Sequence, residues 1–374
     1  MRCKRYELVR CLSGCDRLEA VIEYLSEGDV TLAVVLSSTK VSEVPGITLA
    51  SVRGDVTIRG VRLSPMDLPA IEGEVAATGQ SPSVGIPPIS PEGVPSPAII
   101  VGGLCRVCNV KMNLYVSGLE KKPKADYVEL ADLPGGDIRE CVGAPQAVEI
   151  YERAYRAGKE LSTYDCVIIG ESIPGGTTTA AAFLEALGYD ALSKVSSTLP
   201  SRSNVKKLVV KEALKCLEGA SAESPFDILK LVGDPMIPTA AGLAAALIDS
   251  GVEVVLGGGT QMAAVAALLK EVGVDLSNLA VATTKWVAED SLSDFSDLLR
   301  QVSKEVTATY LSVDLSRSRF KGLRMYEQGY VKEGFALGAM LLLTYLRSAH
   351  SEEALINLVD SIYQEFLTRT EGIR

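Results

Sequence analysis

Between residues 164 and 313, short β-branched runs alternate with alanine- and leucine-rich stretches. Strands and helices of these lengths following one another mean βαβ units. The expected fold is therefore α/β, with a doubly wound, mostly parallel (Rossmann-like) sheet carrying helices on both faces. Asp165–Ile169 reads as a strand, and Thr177–Leu187 as a helix stopped by Gly188. Ile228–Val232 reads as the next strand. Gly233 and Asp234 then open a helix to Ser250, with Asp234 at the N-cap and Pro235 in the first turn. Val252–Leu256, Leu279–Thr283 and Ala308–Val313 continue the strand series.

The N-terminal part is less regular. Val30–Leu36, Pro97–Val101 and Met112–Val116 read as strands. The Gly/Ser/Pro-rich stretch 78–97 is expected to be an ordered loop near a site, because its prolines run directly into a strand candidate. Residues 7–26 and 350–370 read as helices that pack together. They give a small helical subdomain built from 1–27 and 349–374, flanking an α/β domain over 28–348.

A net charge of −10 argues against a nucleic-acid partner, which needs a concentrated basic face, but leaves room for one local phosphate pocket. The basic residues at the N-terminus have no apolar segment behind them, and the apolar run Gly334–Leu346 is too short to span a bilayer. The expectation is a cytoplasmic protein without membrane association. Cys105 and Cys108 form one C-x-x-C without a second pair at zinc spacing, so the eight cysteines read as small buried hydrophobes, with disulfides as the other option. The single histidine, His350, stands in a polar helix junction, which leaves no basis for a histidine metal cluster.

The chemistry concentrates in glycine-rich turns. Val167–Thr179 runs from an apolar strand into Gly170-Glu171-Ser172-Ile173-Pro174-Gly175-Gly176-Thr177-Thr178, a P-loop pattern with Gly176 where the lysine would stand. Backbone N–H groups in such a turn cradle an anion, and the missing lysine points to a singly phosphorylated ligand. Gly233–Pro235 and Gly257–Thr260 supply two further glycine turns, placing three at the carboxyl edge of one sheet, where ligands bind. Glu171 can act as a base, a ribose ligand or a polar strand end; Asp234 is a ribose ligand or simply a helix cap. Lys206, Lys207 and Lys211 can lend charge to a phosphate or form a solvated helix face. Glu333, directly before the apolar helix Phe335–Leu346, is either a helix-dipole partner or a partly desolvated general base. No G-x-G-x-x-G with a downstream acid supports a dinucleotide site.

Taken together, Gly170–Thr179, Gly233-Asp-Pro-Met, Val254–Met262 and Tyr326–Gly334 resemble the archaeal-type branch of the nicotinate-nucleotide–dimethylbenzimidazole phosphoribosyltransferase family, as do Val44-Pro-Gly-Ile and Ser90–Ala98. The resemblance implies transfer of the phosphoribosyl group of nicotinate mononucleotide to a benzimidazole-type base, giving α-ribazole 5'-phosphate and nicotinate. It implies no metal or cofactor, and a homo-oligomer. Lys332-Glu333-Gly334 matches the segment carrying the family's catalytic acid, so Glu333 inherits the role of base. Gly175, Gly176, Thr177 and Thr178 would bind the phosphate. Gly233, Asp234, Gly258, Gly259 and Thr260 would complete the ribose-phosphate pocket with Glu171, and Ser96 in the Pro95-Ser96-Pro97 corner would line the acceptor slot. The bacterial branch has an acid where this chain has Gly257. The alternative is a non-catalytic protein that binds a nucleotide monophosphate, which would need the turns but not Glu333.

Overall fold

A computed structural model describes residues 6–48, 56–58, 61–63, 65–80, 86–90, 92–195 and 200–371. In chain order the elements are β1 (Val9–Ser13), α1 (Leu18–Glu27), β2 (Val30–Ser37), β3 (Val56–Ile58), β4 (Val61–Leu63), α2 (Leu68–Thr78), α3 (Pro97–Cys108), β5 (Lys111–Ser117), β6 (Tyr127–Ala131), α4 (Ala147–Gly158), β7 (Cys166–Ser172) and α5 (Gly176–Ala186). There follow α6 (Pro200–Leu214), α7 (Pro225–Val232), α8 (Met236–Asp249), β8 (Glu253–Gly257), α9 (Thr260–Glu271), β9 (Leu279–Thr284), α10 (Lys285–Ala288), α11 (Phe295–Val302), β10 (Thr307–Leu311), α12 (Lys321–Arg324), α13 (Leu337–Thr344) and α14 (Glu352–Glu371).

Eight strands form one sheet in the order β1-β10-β9-β8-β7-β2-β5-β6, all parallel except β1, which is antiparallel to β10. The period-two alternation of each strand divides its side chains between two cores. Ala33, Val35, Val167, Ile169, Val254 and Leu256 face the layer built from α4, α5, α8, α9 and α11. Leu32, Val34, Leu36, Ile168, Val255 and Ala282 face the layer of α1, α2, α3, α13 and α14. Burial on both faces explains why these strands read as unbroken apolar runs. The chain builds outward from β2 through β5 to β6, then returns to β7 and builds the other way. The topological switch point therefore lies between β2 and β7, the place where doubly wound sheets open a ligand crevice.

Three expectations fail for local reasons. Ile228–Val232 lies in the helix α7, because Ser224 and Asp227 form a capping box with Pro225 in the first turn. Pro97–Val101 is the start of helix α3: Ser96 is its N-cap, and its hydroxyl accepts from the Ala98 N–H. Residues 7–26 are not helical throughout, since Val9–Ser13 pairs with β10 at the sheet edge before α1 begins. Of the loop 78–97, residues 81–85 and 91 lie outside the described residues, as does Cys3. The reading of the cysteines also changes: Cys11 pairs with Cys15 and Cys141 with Cys216, while Cys105, Cys108 and Cys166 are buried thiols. His350 is exposed at the turn before α14. No helix among the described residues is long and apolar enough to cross a membrane.

Helix α13 is buried along its whole length and packs over β8, β9 and β10. A Cβ on Gly338 would strike the backbone of Thr283, although that position lies inside a helix. Helix propensity favours alanine there by about 1 kcal/mol, whereas overpacking costs about 1–3 kcal/mol. Gly338→Ala should therefore lower unfolding free energy in a denaturant titration. A stabilised Gly338→Ala protein would contradict this close approach.

Candidate active site

The carboxyl ends of the parallel strands set out the site. β7 finishes Gly170-Glu171-Ser172, in register with Val34-Val35-Leu36 of β2. The chain then turns through Ile173, Pro174 and Gly175 into α5. Gly175 has φ 85°, and a Cβ there would sit 3.1 Å from the Ser42 nitrogen, so both conformation and space call for glycine. Gly175, Gly176 and Thr178 are buried and Thr177 is half-buried. The Gly258-Gly259-Thr260 turn lies between β8 and α9, and a Cβ on Gly176 would be 3.4 Å from Gln261 Cγ in the first turn of α9. The two glycine turns are thus neighbours.

Gly233 occupies a different setting. With Ile228–Val232 helical, the Gly233 turn joins α7 to α8 and is not a strand-to-helix junction. Asp234 still reaches the first turn: it is hydrogen-bonded to Thr179 of α5, and its Oδ1 accepts from the N–H groups of Met236 (2.9 Å) and Ile237 (3.2 Å). Its helix-capping role is therefore realised. Complete burial outweighs these hydrogen bonds and pushes its carboxyl up to about 6. Of the three lysines on α6, which packs against α5, Lys206 is buried, Lys207 half-buried and Lys211 exposed.

A second segment closes over these strand ends. The Phe335 N–H donates to the Glu171 carbonyl at 2.8 Å, and the Thr284 hydroxyl donates to the Lys332 carbonyl at 2.5 Å. A Cβ on Gly170 or Gly257 would collide with Ala336, so these glycine strand tips are what let residues 334–338 approach. The approach is strained. Gly334 has φ 151°, and Phe335 and Ala336 have φ 55° and 63°, a conformation costing roughly 1–2 kcal/mol for each non-glycine residue.

This strained turn fixes Glu333. Its Oε1 accepts from the N–H groups of Gly334 (3.1 Å) and Gly338 (3.2 Å) at the start of α13, while Oε2 is buried without a partner. Glu333 is thus a helix-terminus carboxylate in a desolvating environment, the setting that either sequence reading calls for. Burial pushes its carboxyl up to about 7 against the lowering effect of the backbone N–H groups of Gly334, Gly338, Thr284 and Leu337. The Lys332 ammonium lies 2.5 Å from Asp290. Glu171 is 4% exposed, and burial, followed by the charge of Glu333, pushes it up to about 8.

Sequence reasoning missed Glu72 on α2. Its two carboxyl oxygens accept from the Ser96 hydroxyl at 2.9 Å and the Ser172 hydroxyl at 2.5 Å, so it ties the tip of β7 to the Pro95-Ser96-Pro97 corner. Burial raises its pKa. The available signal was an acid inside the otherwise apolar stretch Leu68–Ile71 and Gly73. The Tyr326 hydroxyl donates to the Pro95 carbonyl at 2.8 Å, and the charges of both Glu72 and Glu333 act on Tyr326.

Among the described residues, five of the seven buried polar side-chain atoms without a partner belong to this region: Ser37 Oγ at the end of β2, Thr178 Oγ1 in α5, Thr283 Oγ1 in β9, Trp286 Nε1 and Glu333 Oε2; the other two, Arg17 Nη1 and Glu253 Oε1, belong to an ion pair at the start of β8. Each lost hydrogen bond costs about 1–3 kcal/mol, so their concentration calls for a bound partner. Among the described residues, no group of three or more His, Cys, Asp or Glu residues could hold a metal ion.

Comparison with known proteins bears on the family and the fold. Residues 138–285 match the family model described as phosphoribosyltransferase (DBI_PRT). The UPF0284 protein of Aeropyrum pernix is 36% identical over 94% of this chain and 96% of its own length. That of Sulfolobus acidocaldarius is 36% identical over 91% and 96%. Among solved structures, the nicotinate-nucleotide–dimethylbenzimidazole phosphoribosyltransferase of Thermus thermophilus superposes with a TM-score of 0.57 at 15% identity, over 92% of this chain and 90% of that one. A CobT structure from the same organism gives 0.57 at 16% identity, over 92% and 91%. The fold is thus that of these enzymes, and by its sequence the chain belongs to the UPF0284 family.

Proposed function

We propose that this protein transfers the phosphoribosyl group of nicotinate mononucleotide to a benzimidazole-type base, releasing nicotinate and forming α-ribazole 5'-phosphate. The observation that carries the reading is Glu333: one carboxyl oxygen is pinned by two backbone N–H groups, and the other is buried and unpartnered. An acceptor N–H delivered to Oε2 finds a base whose affinity for protons is matched to neutral pH.

The chemistry asks for little else. A ring nitrogen of the acceptor attacks C1' of the ribose as the bond to the pyridinium nitrogen breaks. That electron pair returns to nicotinate, and the acceptor's proton passes to Glu333. The leaving nitrogen departs neutral, so it needs no acid and no metal. Attack opposite the nicotinate converts the β-nucleotide to the α-product, with much of the acceleration supplied by orientation. Gly175, Gly176, Thr177 and Thr178 are proposed to hold the phosphate, with the unpartnered Thr178 hydroxyl as one donor. Gly258, Gly259, Thr260 and Glu171 would border the ribose. Gly233 and Asp234 support the pocket from behind α5, through Thr179. Ser96 lies at the acceptor corner. The superposed Thermus thermophilus structures support this reading at the level of fold.

The direct experiment is product analysis by mass spectrometry with nicotinate mononucleotide and a panel of benzimidazoles and purines. An α-ribazole phosphate is the expected product. Tight nucleotide binding with no product from any acceptor would instead favour a non-catalytic nucleotide-monophosphate-binding protein. Glu333→Gln should lose about 10²–10⁴-fold in kcat while nicotinate mononucleotide still binds; retained turnover removes Glu333 as the base.

Because the base must be ionised, kcat/KM should rise with pH through about 7 and then level off. Glu171 is still protonated there, so Glu171→Gln should leave that limb in place. Stability should run the opposite way. Carboxyls raised in the folded state stabilise it fully below their ordinary values of 4.5 and 3.8, and that contribution is lost as pH rises through about 6 for Asp234, 7 for Glu333 and 8 for Glu171. The melting temperature of the ligand-free protein should therefore fall across this window, and Glu333→Gln should flatten the decline. An unchanged slope in that variant would contradict the assignment.

A further inference from the structure

We infer that Glu72, held by Ser96 and Ser172, forms the polar end of the acceptor slot and selects heteroaromatic bases that carry an N–H or O–H donor on the six-membered ring. This rests on the transfer reading above and deepens it by naming the class of acceptor.

The placement follows from contacts already described. Ser172 is the last residue of β7, next to Glu171, and Ser96 stands in the Pro95–Pro97 corner. The same corner meets the segment that carries Glu333, because a Cβ on Gly334 would be 3.4 Å from Pro97 Cγ. Tyr326 spans the two sides, bonded to the Pro95 carbonyl and within the electrostatic reach of both Glu72 and Glu333. A flat ring offered to Glu333 at one edge therefore has Glu72 available to its other edge.

The hydrogen-bond inventory fixes what Glu72 can read. A carboxyl group offers about four lone-pair sites, and the two serine hydroxyls use one on each oxygen. Ionised, the carboxyl can only accept further; protonated, its carbonyl oxygen still keeps a free lone pair, so a donor on the ring is complementary in either state. Ser96 and Ser172 are buried and hold the carboxyl of the half-buried Glu72 at this corner. A methyl group in that position would bury the acid against carbon and forfeit the bond. A second feature points to a ligand here: Trp286, packed on the Tyr326 ring with centroids 5.1 Å apart, is 7% exposed and its indole N–H has no partner.

The test compares 5-hydroxybenzimidazole and adenine with 5,6-dimethylbenzimidazole, measuring kcat/KM and, by calorimetry, acceptor affinity on the full-length protein. The wild-type protein should prefer the donor-bearing acceptors by about 10- to 100-fold. Glu72→Leu should collapse that ratio toward one while the KM for nicotinate mononucleotide holds within about twofold; Glu72→Gln, which keeps an accepting oxygen, should retain part of it. A wild-type ratio near one overturns the inference without any variant, and so does an equal loss on all acceptors in Glu72→Leu. If no acceptor yields product, the transfer reading falls. The calorimetric ratio then decides the slot separately: Glu72-dependent discrimination upholds it, and equal or absent binding overturns it.

Discussion

The docking of residues 334–338 onto glycine strand tips is the contact on which the rest of this structure depends. Gly170 and Gly257 leave room for Ala336, and Gly338 leaves room for Thr283. Any side chain at these three positions would lift the start of α13 off the sheet. Phe335 and Ala336 accept left-handed backbone conformations to complete the docking, at roughly 1–2 kcal/mol each. Burial of the fully apolar α13 opposes that cost, since each large buried side chain contributes about 1.5–3 kcal/mol. The strain is therefore sustained by packing, and its consequence is the fixed position of Glu333.

That position sets a contest between desolvation and hydrogen bonding in which desolvation wins. Backbone donors of Gly334, Gly338, Thr284 and Leu337 favour the ionised form of Glu333, yet burial still raises its carboxyl to about 7. Glu171 has less help and feels the charge of Glu333, so it is raised further, to about 8. Both acids are thus raised toward neutrality, Glu171 the further because the charge of Glu333 acts on it. The unpartnered hydroxyls of Ser37, Thr178 and Thr283 add donors at the same strand edge. One glycine-tipped edge thereby brings together the features the proposed phosphoribosyl transfer asks for: glycine turns, a raised carboxyl and unpartnered hydrogen-bonding groups.

Much of this was legible in the sequence because parallel strands buried on both faces announce themselves as apolar runs. Residues 166–172, 253–257, 279–284 and 307–311 form strands close to where the pattern put them. Two of the three differences share one cause: in Ile228–Val232 and Pro97–Val101 the β-branched content suggests a strand, but a serine–proline start and the helix caps of Ser224 and Ser96 decide the outcome. Val9–Ser13 was missed because an edge strand that is only half buried lacks the apolar run. Glu333 and the glycine turns were legible from motif, whereas Glu72 was not. Its importance arises from Ser96 and Ser172, 24 and 100 residues away in the chain, meeting one carboxyl group.

The measurement closest to the heart of this account is a carboxyl titration by NMR of the ligand-free protein labelled with 13C at the glutamate side chains, run beside Glu333→Gln. A resonance with a midpoint near 7 that vanishes in the variant is the predicted result. A Glu333 resonance titrating near the ordinary glutamate value of 4.5 would contradict it, because a carboxyl with one oxygen shut away from water does not ionise like one in solution.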